Sequence, residues 1–140
     1  MSNIILDVTN KKSISASTIS YEGKLLDKVV CKAKFDNQYL NLIDGYIKGA
    51  KLVKSFLDKN PQFSEDLIVV SSNSAFIGWL KRNYTLPQYA DMFKTLTKIL
   101  ESLPVKIEFI RSDNLVSDKF AMKSFLKLEQ LSSIDSFLDS

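Results

Sequence analysis

The stretch "DLIVVSSNSAF" (Asp66–Phe76) runs from an acid through four consecutive apolar residues into a cluster of serines around one asparagine. A strand that is apolar at every inner position suits the middle of a sheet covered on both faces. Asn73 and Ser74 are good helix caps, so the chain is expected to turn there from a strand into a helix. In a parallel sheet that junction is where ligands usually sit. Here it offers Ser71, Ser72, Asn73 and Ser74, with no acid, no base and no glycine-rich curve for a phosphate.

Upstream, "NIILDV" (Asn3–Val8) reads as a short apolar strand, and "SISASTISY" (Ser13–Tyr21) alternates as a half-buried strand should. "LLDKVVCKAKF" (Leu25–Phe35) reads as a third. The Lys11-Lys12 link and the Glu22-Gly23-Lys24 turn make these three an antiparallel meander. Asn37 then caps a long helix, in which Leu42, Ile43, Tyr46, Ile47, Ala50 and Val53 hold a helical period until Pro61.

Downstream of the central strand come a short helix, "NSAFIGWLKRN", and another opened by Pro87, "PQYADMFKTLTKILES". "VKIEFIRS" alternates as a fifth strand. The loop "DNLVSD" leads into a last helix with Phe120, Met122, Phe125, Leu126 and Leu128. The predicted class is α/β with the order β-β-β-α-β-α-α-β-α. Three antiparallel strands followed by parallel additions give a mixed five-stranded sheet with helices on both faces. No linker or repeat divides the chain, so residues 1–140 read as one domain whose C-terminal helix and tail begin near 115. The amphipathic tail "LEQLSSIDSFLDS" suits packing on the body or contact with a partner chain.

Histidine is absent, which removes the usual general base, every Ser-His or Cys-His pair and the usual zinc set. Cys31 stands alone, so no internal disulfide forms and a cytoplasmic location is expected. No apolar run is long enough to span a membrane, and no secretory signal is visible. Up to Lys127 the chain holds 19 basic residues against 13 acidic ones, a surplus of six that is compatible with a nucleic-acid partner. All but Arg82 and Arg111 are lysines, which bind phosphate as point charges and lack the fork that reads bases. Sequence-specific readout is therefore not expected. Abundant Lys, Asn, Ser and Ile suggest an AT-rich genome, phage or bacterial.

With Asp7 ending the first strand and Asp118 opening the last helix, the chain resembles the ribonuclease H family from "IILDVTN" to "SDKFAMKS". The resemblance implies a site of four carboxylates holding two magnesium ions for phosphodiester hydrolysis. Asp7 in "LDVT" matches the first acid. Asp118 in "NLVSDKFA" matches the last, with Asn114 four residues before it and Ala121 three after. The other two acid positions depart: Gly45 and Gly49 fit the small positions after the helical acid and place Leu42 where that acid belongs. Asn73-Ser74 stands in place of Asp-Ser. Leu42 offers no oxygen and Asn73 only a neutral carbonyl, whereas magnesium wants anionic oxygen ligands.

On this reading Asp7 and Asp118 are vestigial catalytic residues that hold magnesium weakly at most, and the protein is a non-catalytic member kept for nucleic-acid or protein binding, with no cofactor. Lys81, Arg82 and Asn83 are the candidate phosphate contacts. One alternative is an active nuclease dependent on Mg²⁺ or Mn²⁺, in which Asp113 swings toward Asp118. Asp44 is a poor substitute, because it lies about 200° round the helix from Leu42. Another alternative is an assembly module that binds a protein partner or its own copies and no nucleic acid. Plain structural roles also stand: Asp7 as a turn residue held by backbone amides, Asp118 as a helix N-terminal acid, and Asn73 as a cap. As a strand-end acid at a solvent-facing edge, Asp7 is expected to support little packing.

Overall fold

The computed structural model describes residues 3–11 and 13–123. Five strands, β1 (Ile4–Lys11), β2 (Ile14–Tyr21), β3 (Lys24–Lys32), β4 (Leu67–Ser71) and β5 (Ile107–Arg111), form one sheet in the order β3-β2-β1-β4-β5. The first three are antiparallel neighbours, and β4 joins β1 in parallel and carries β5 in parallel on its other side. The helices are α1 (Gln38–Lys59), α2 (Ser74–Arg82), α3 (Ala90–Glu101) and α4, the helical residues 117–123. This is the mixed α/β sheet and the element order that the sequence predicts. Phe125, Leu126, Leu128 and the amphipathic tail lie outside the described residues.

Local boundaries differ where tertiary pairing extends or cuts an element. β1 runs past Val8 to Lys11 because β2 is buried from Ile14 to Ser20 and offers a complete ladder, with Lys11 opposite Ile14. Lys11 therefore belongs to the ladder and not to the link between the two strands. In the hairpin between β2 and β3, Glu22 and Gly23 both have positive φ, 50° and 76°, the two-residue turn whose twist matches antiparallel strands. β3 stops at Lys32, and Phe35 instead exchanges hydrogen bonds with the side chain of Asn41. Pro87 opens a single 3-10 turn, Pro87–Tyr89, ahead of α3.

α1 starts where expected, with Asn37 Oδ1 accepting from the amides of Tyr39 at 2.9 Å and Leu40 at 3.1 Å. It lies unusually close to the sheet. A Cβ on Gly45 would stand 2.5 Å from Val8 Cγ1, and one on Gly49 would overlap Leu6 Cδ1. Leu6 and Val8 thus face α1 in a core that also holds Ile43, Tyr46, Val53, Val69, Phe76 and Leu96. Strand alternation turns Asp7 and Thr9 to the opposite face. There α4 sets Ala121 against Ile14 and Ala16, with Lys28 Nζ 4.5 Å from the Phe120 ring centre. No helix among the described residues is long and apolar enough to cross a membrane.

Candidate functional site

A groove of about 430 Å³ opens at the carboxyl ends of β1 and β4. Thr9 and Asn10 of β1, Leu42 of α1, Asn73 before α2, and Asp113 and Asp118 around the β5–α4 loop line it. The topology forces these together: β1 and β4 are adjacent parallel strands, so the segments leaving their ends share one edge. The glycine contacts of α1 hold its first turns, and so Leu42, down against β1.

Two of the polar groups in the groove are already engaged. Asn73 Oδ1 caps α2 by accepting from the Phe76 amide at 2.9 Å, while its own amide donates to Ser71 Oγ at 3.1 Å. Asp113 is exposed and paired with Arg111 at 2.9 Å. Asp118 is exposed at the start of α4. Asn10 Oδ1 is buried with no hydrogen-bond partner among the described residues. Thr9, Asn10 and Gln38 line the groove without having been singled out from the sequence. The length of β1 was the signal that would have found Thr9 and Asn10.

Asp7 is not among the groove-lining residues. It is 1% exposed, which corrects the expectation of a solvent-facing edge. Its Oδ1 accepts from Thr18 Oγ1 at 3.1 Å and from the Ser117 amide at 2.8 Å, and its Oδ2 accepts from the Val116 amide at 3.0 Å. The cause is local. Alternation points Asp7 toward α4, whose first amides have no partner within the helix and need acceptors. A second bond, 2.7 Å between Thr9 Oγ1 and Ser117 Oγ, fastens the same junction. On the far side of β1, Tyr46 Oη donates to the Val70 carbonyl. Burial pushes the Tyr46 phenol well above its ordinary range and the Asp7 charge adds to this, against a smaller opposing effect of a hydrogen bond with Ser71.

The remaining candidates lie elsewhere. Asp44 pairs with Lys48 at 3.0 Å. Burial lowers the Lys48 pKa, but Asp44 and Cys31 Sγ, 3.2 Å away, outweigh it and leave the ammonium above its ordinary value. Lys81, Arg82 and Asn83 are exposed at the other end of α2 from Asn73 and do not line the groove. Arg82 Nε donates to the Gly78 carbonyl at 3.2 Å, and Asn83 ends the helix in a left-handed conformation. Among the described residues no three His, Cys, Asp or Glu side chains gather into a set able to hold a metal ion.

No protein-family model matches the sequence, and no curated protein matches it. Solved structures do. LC11-RNase H1 in complex with an RNA/DNA hybrid superposes with a TM-score of 0.67 at 14% identity, over 85% of this chain and 90% of that one. The fold is ribonuclease H-like. The N-terminal ribonuclease H domain of Rv2228c from Mycobacterium tuberculosis agrees, with a TM-score of 0.65 at 9% identity over 94% of this chain and 99% of that one. The RNase H1 of the halophilic archaeon Halobacterium salinarum gives 0.56 at 8% identity, over 79% and 83%. In this ribonuclease H-like domain, three of the four positions that the sequence resemblance marks as acid sites (Leu42, Asn73 and Asp118) line one groove, and the fourth, Asp7, lies behind it.

Proposed function

We propose that this ribonuclease H-like domain binds nucleic acid through its backbone and does not hydrolyse it. One observation carries the reading. Of the four positions where the resemblance implies carboxylates, only Asp118 offers the groove a carboxylate that is unengaged among the described residues. Leu42 has no oxygen, the Asn73 oxygen is taken by the Phe76 amide, and both oxygens of Asp7 are taken by α4 and Thr18. These residues do not fit a magnesium pair, which needs several anionic oxygens around two ions.

The lysine-rich surplus supports a phosphate-backbone partner, and the similar LC11-RNase H1 was solved with an RNA/DNA hybrid. On this reading Lys81, Arg82 and Asn83, exposed at the end of α2 away from the groove, would add phosphate contacts. A relocated nuclease site is the second reading, favoured by Asp113 and Asp118 lining the same groove.

Fluorescence anisotropy with a labelled RNA/DNA hybrid, a DNA duplex and a single strand tests the proposal. Binding should weaken steeply as salt rises, since each neutralised phosphate releases counterions. The same hybrid incubated with Mg²⁺ or Mn²⁺ should stay intact. Cleavage abolished by Asp118→Asn would replace the proposal with the nuclease reading. Salt-insensitive self-association with no retention of any nucleic acid would replace it with the assembly module.

A further inference from the structure

A second cleft, of about 420 Å³, lies where the loop after α2 meets α3, and it shares no lining residue with the groove. Tyr84 and Thr85 of the loop face Lys94, Thr97 and Lys98 of α3 across it. Lys94 and Lys98 stand one helical turn apart, both exposed, and neither has an ion-pair partner among the described residues. Thr85 is 8% exposed, and its hydroxyl has no hydrogen-bond partner among the described residues. Buried hydroxyls are seldom left in that state, and because Thr85 lines the cleft, a turn about its Cα–Cβ bond would offer the hydroxyl to a polar ligand atom. Tyr84, 61% exposed, adds an aromatic face.

An apolar recess of about 230 Å³ adjoins the cleft. Asn83, Thr97 and Glu101 belong to both, and Leu80, Leu100, Ile107 and Phe109 line the rest of the recess. The combined site therefore has a cationic end, an apolar end, and between them an amide, a hydroxyl and a carboxylate. A bare anion would use only the lysines and would meet the Glu101 carboxylate. A purely apolar ligand would leave the lysines unused. A phosphate joined to a planar, hydrogen-bonding heterocycle uses all three parts, with the phosphate on Lys94 and Lys98 and the ring edge at Asn83, Thr97 and Glu101.

We propose that this cleft binds one nucleotide unit, either as a free nucleotide or as an unstacked nucleotide of a strand. The inference stands apart from the groove and does not depend on how the groove acts.

Calorimetric titration of the full chain with AMP, adenosine, inorganic phosphate and a short oligothymidylate tests it. AMP or the oligothymidylate should bind more tightly than adenosine or phosphate alone. Lys94→Ala with Lys98→Ala should weaken that binding about tenfold or more, as expected for losing charge-assisted contacts. Thr85→Val should weaken it too, while its melting temperature stays at or above that of the parent, because an unpaired buried hydroxyl is removed. Binding of AMP identifies a free nucleotide as an occupant, and binding of the oligothymidylate alone identifies a strand. The proposal is overturned if neither probe binds, or if the lysine substitutions leave both affinities unchanged.

Discussion

Oδ1 of Asp7 accepts the backbone amide of Ser117 at 2.8 Å, joining positions 110 residues apart in the chain. With Val116 on Oδ2 and Thr18 on Oδ1, this side chain fixes the start of α4 to the middle of the sheet. The aspartate that the resemblance marks as a metal ligand therefore acts, in this protein, as an acceptor for backbone donors.

Asp7→Ala should lower stability by about 2–4 kcal/mol, because three donors lose their partner in a buried setting. Asp7→Asn, which keeps the shape but turns one acceptor into a donor, should cost about 1–3 kcal/mol. Urea denaturation measures both. A loss below about 1 kcal/mol for the alanine variant would mean that α4 is held by other contacts.

Leu42→Glu combined with Asn73→Asp should convert the groove into a cation site, since both positions line it together with Asp113 and Asp118. Without metal, the crowded like charges should make this variant less stable than the parent near neutral pH. Magnesium should restore the loss by about 2.7 kcal/mol at a hundredfold excess over Kd. The parent should respond little. Thermal melts with and without magnesium decide the matter, and equal responses would show that the register taken from the resemblance is wrong.

Gly45→Ala should destabilise the protein by about 1–3 kcal/mol despite the higher helix propensity of alanine, because overpacking outweighs that gain. The new methyl would stand 2.5 Å from Val8 Cγ1, a stiff branched side chain in a filled core. Adding Val8→Ala should recover part of the loss. Full stability in the single variant would show that α1 can rise off the sheet at no cost.

Stability should decline as pH rises above about 10, the ordinary value of a tyrosine phenol. Its folded pKa is raised, mainly by burial, so above that pH the unfolded chain has released a proton that the folded chain still holds, and unfolding is favoured. Lys48, also raised on folding, acts in the same direction from 10.5 upward. Tyr46→Phe should be less stable near neutrality, where it lacks the bond to the Val70 carbonyl, but should show a shallower alkaline decline. Urea midpoints between pH 8 and 11 compare the slopes, and parallel curves for the two proteins would refute the assignment.

The fold was legible because its signals are periodic and local. The apolar run Leu67–Val70 announced a central strand, and Asn37 and Asn73 announced two helix starts. The site was legible only in part. Leu42, Asn73, Asp113 and Asp118 come to one groove, as their element-end positions require. The burial of Asp7 was not legible, because it depends on which face α4 docks against and on amides more than a hundred residues away. The Thr85 cleft gave no sequence signal, since its walls come from separate elements and its hydroxyl matters only through the partner it lacks.

The span of the Asp7–Ser117 bond also bears on the order in which the molecule assembles and comes apart. The β1–β3 meander is built from neighbours in sequence, whereas this bond must close nearly the whole chain, a step with a large entropic penalty and little early reward. It belongs after the rate-limiting barrier. Substitutions at Asp7 should therefore leave the refolding rate almost unchanged and shorten the lifetime of the native state. In hydrogen exchange, the amides of Val116 and Ser117 should trade their protons for deuterium before those of the central strands, marking where the molecule first opens.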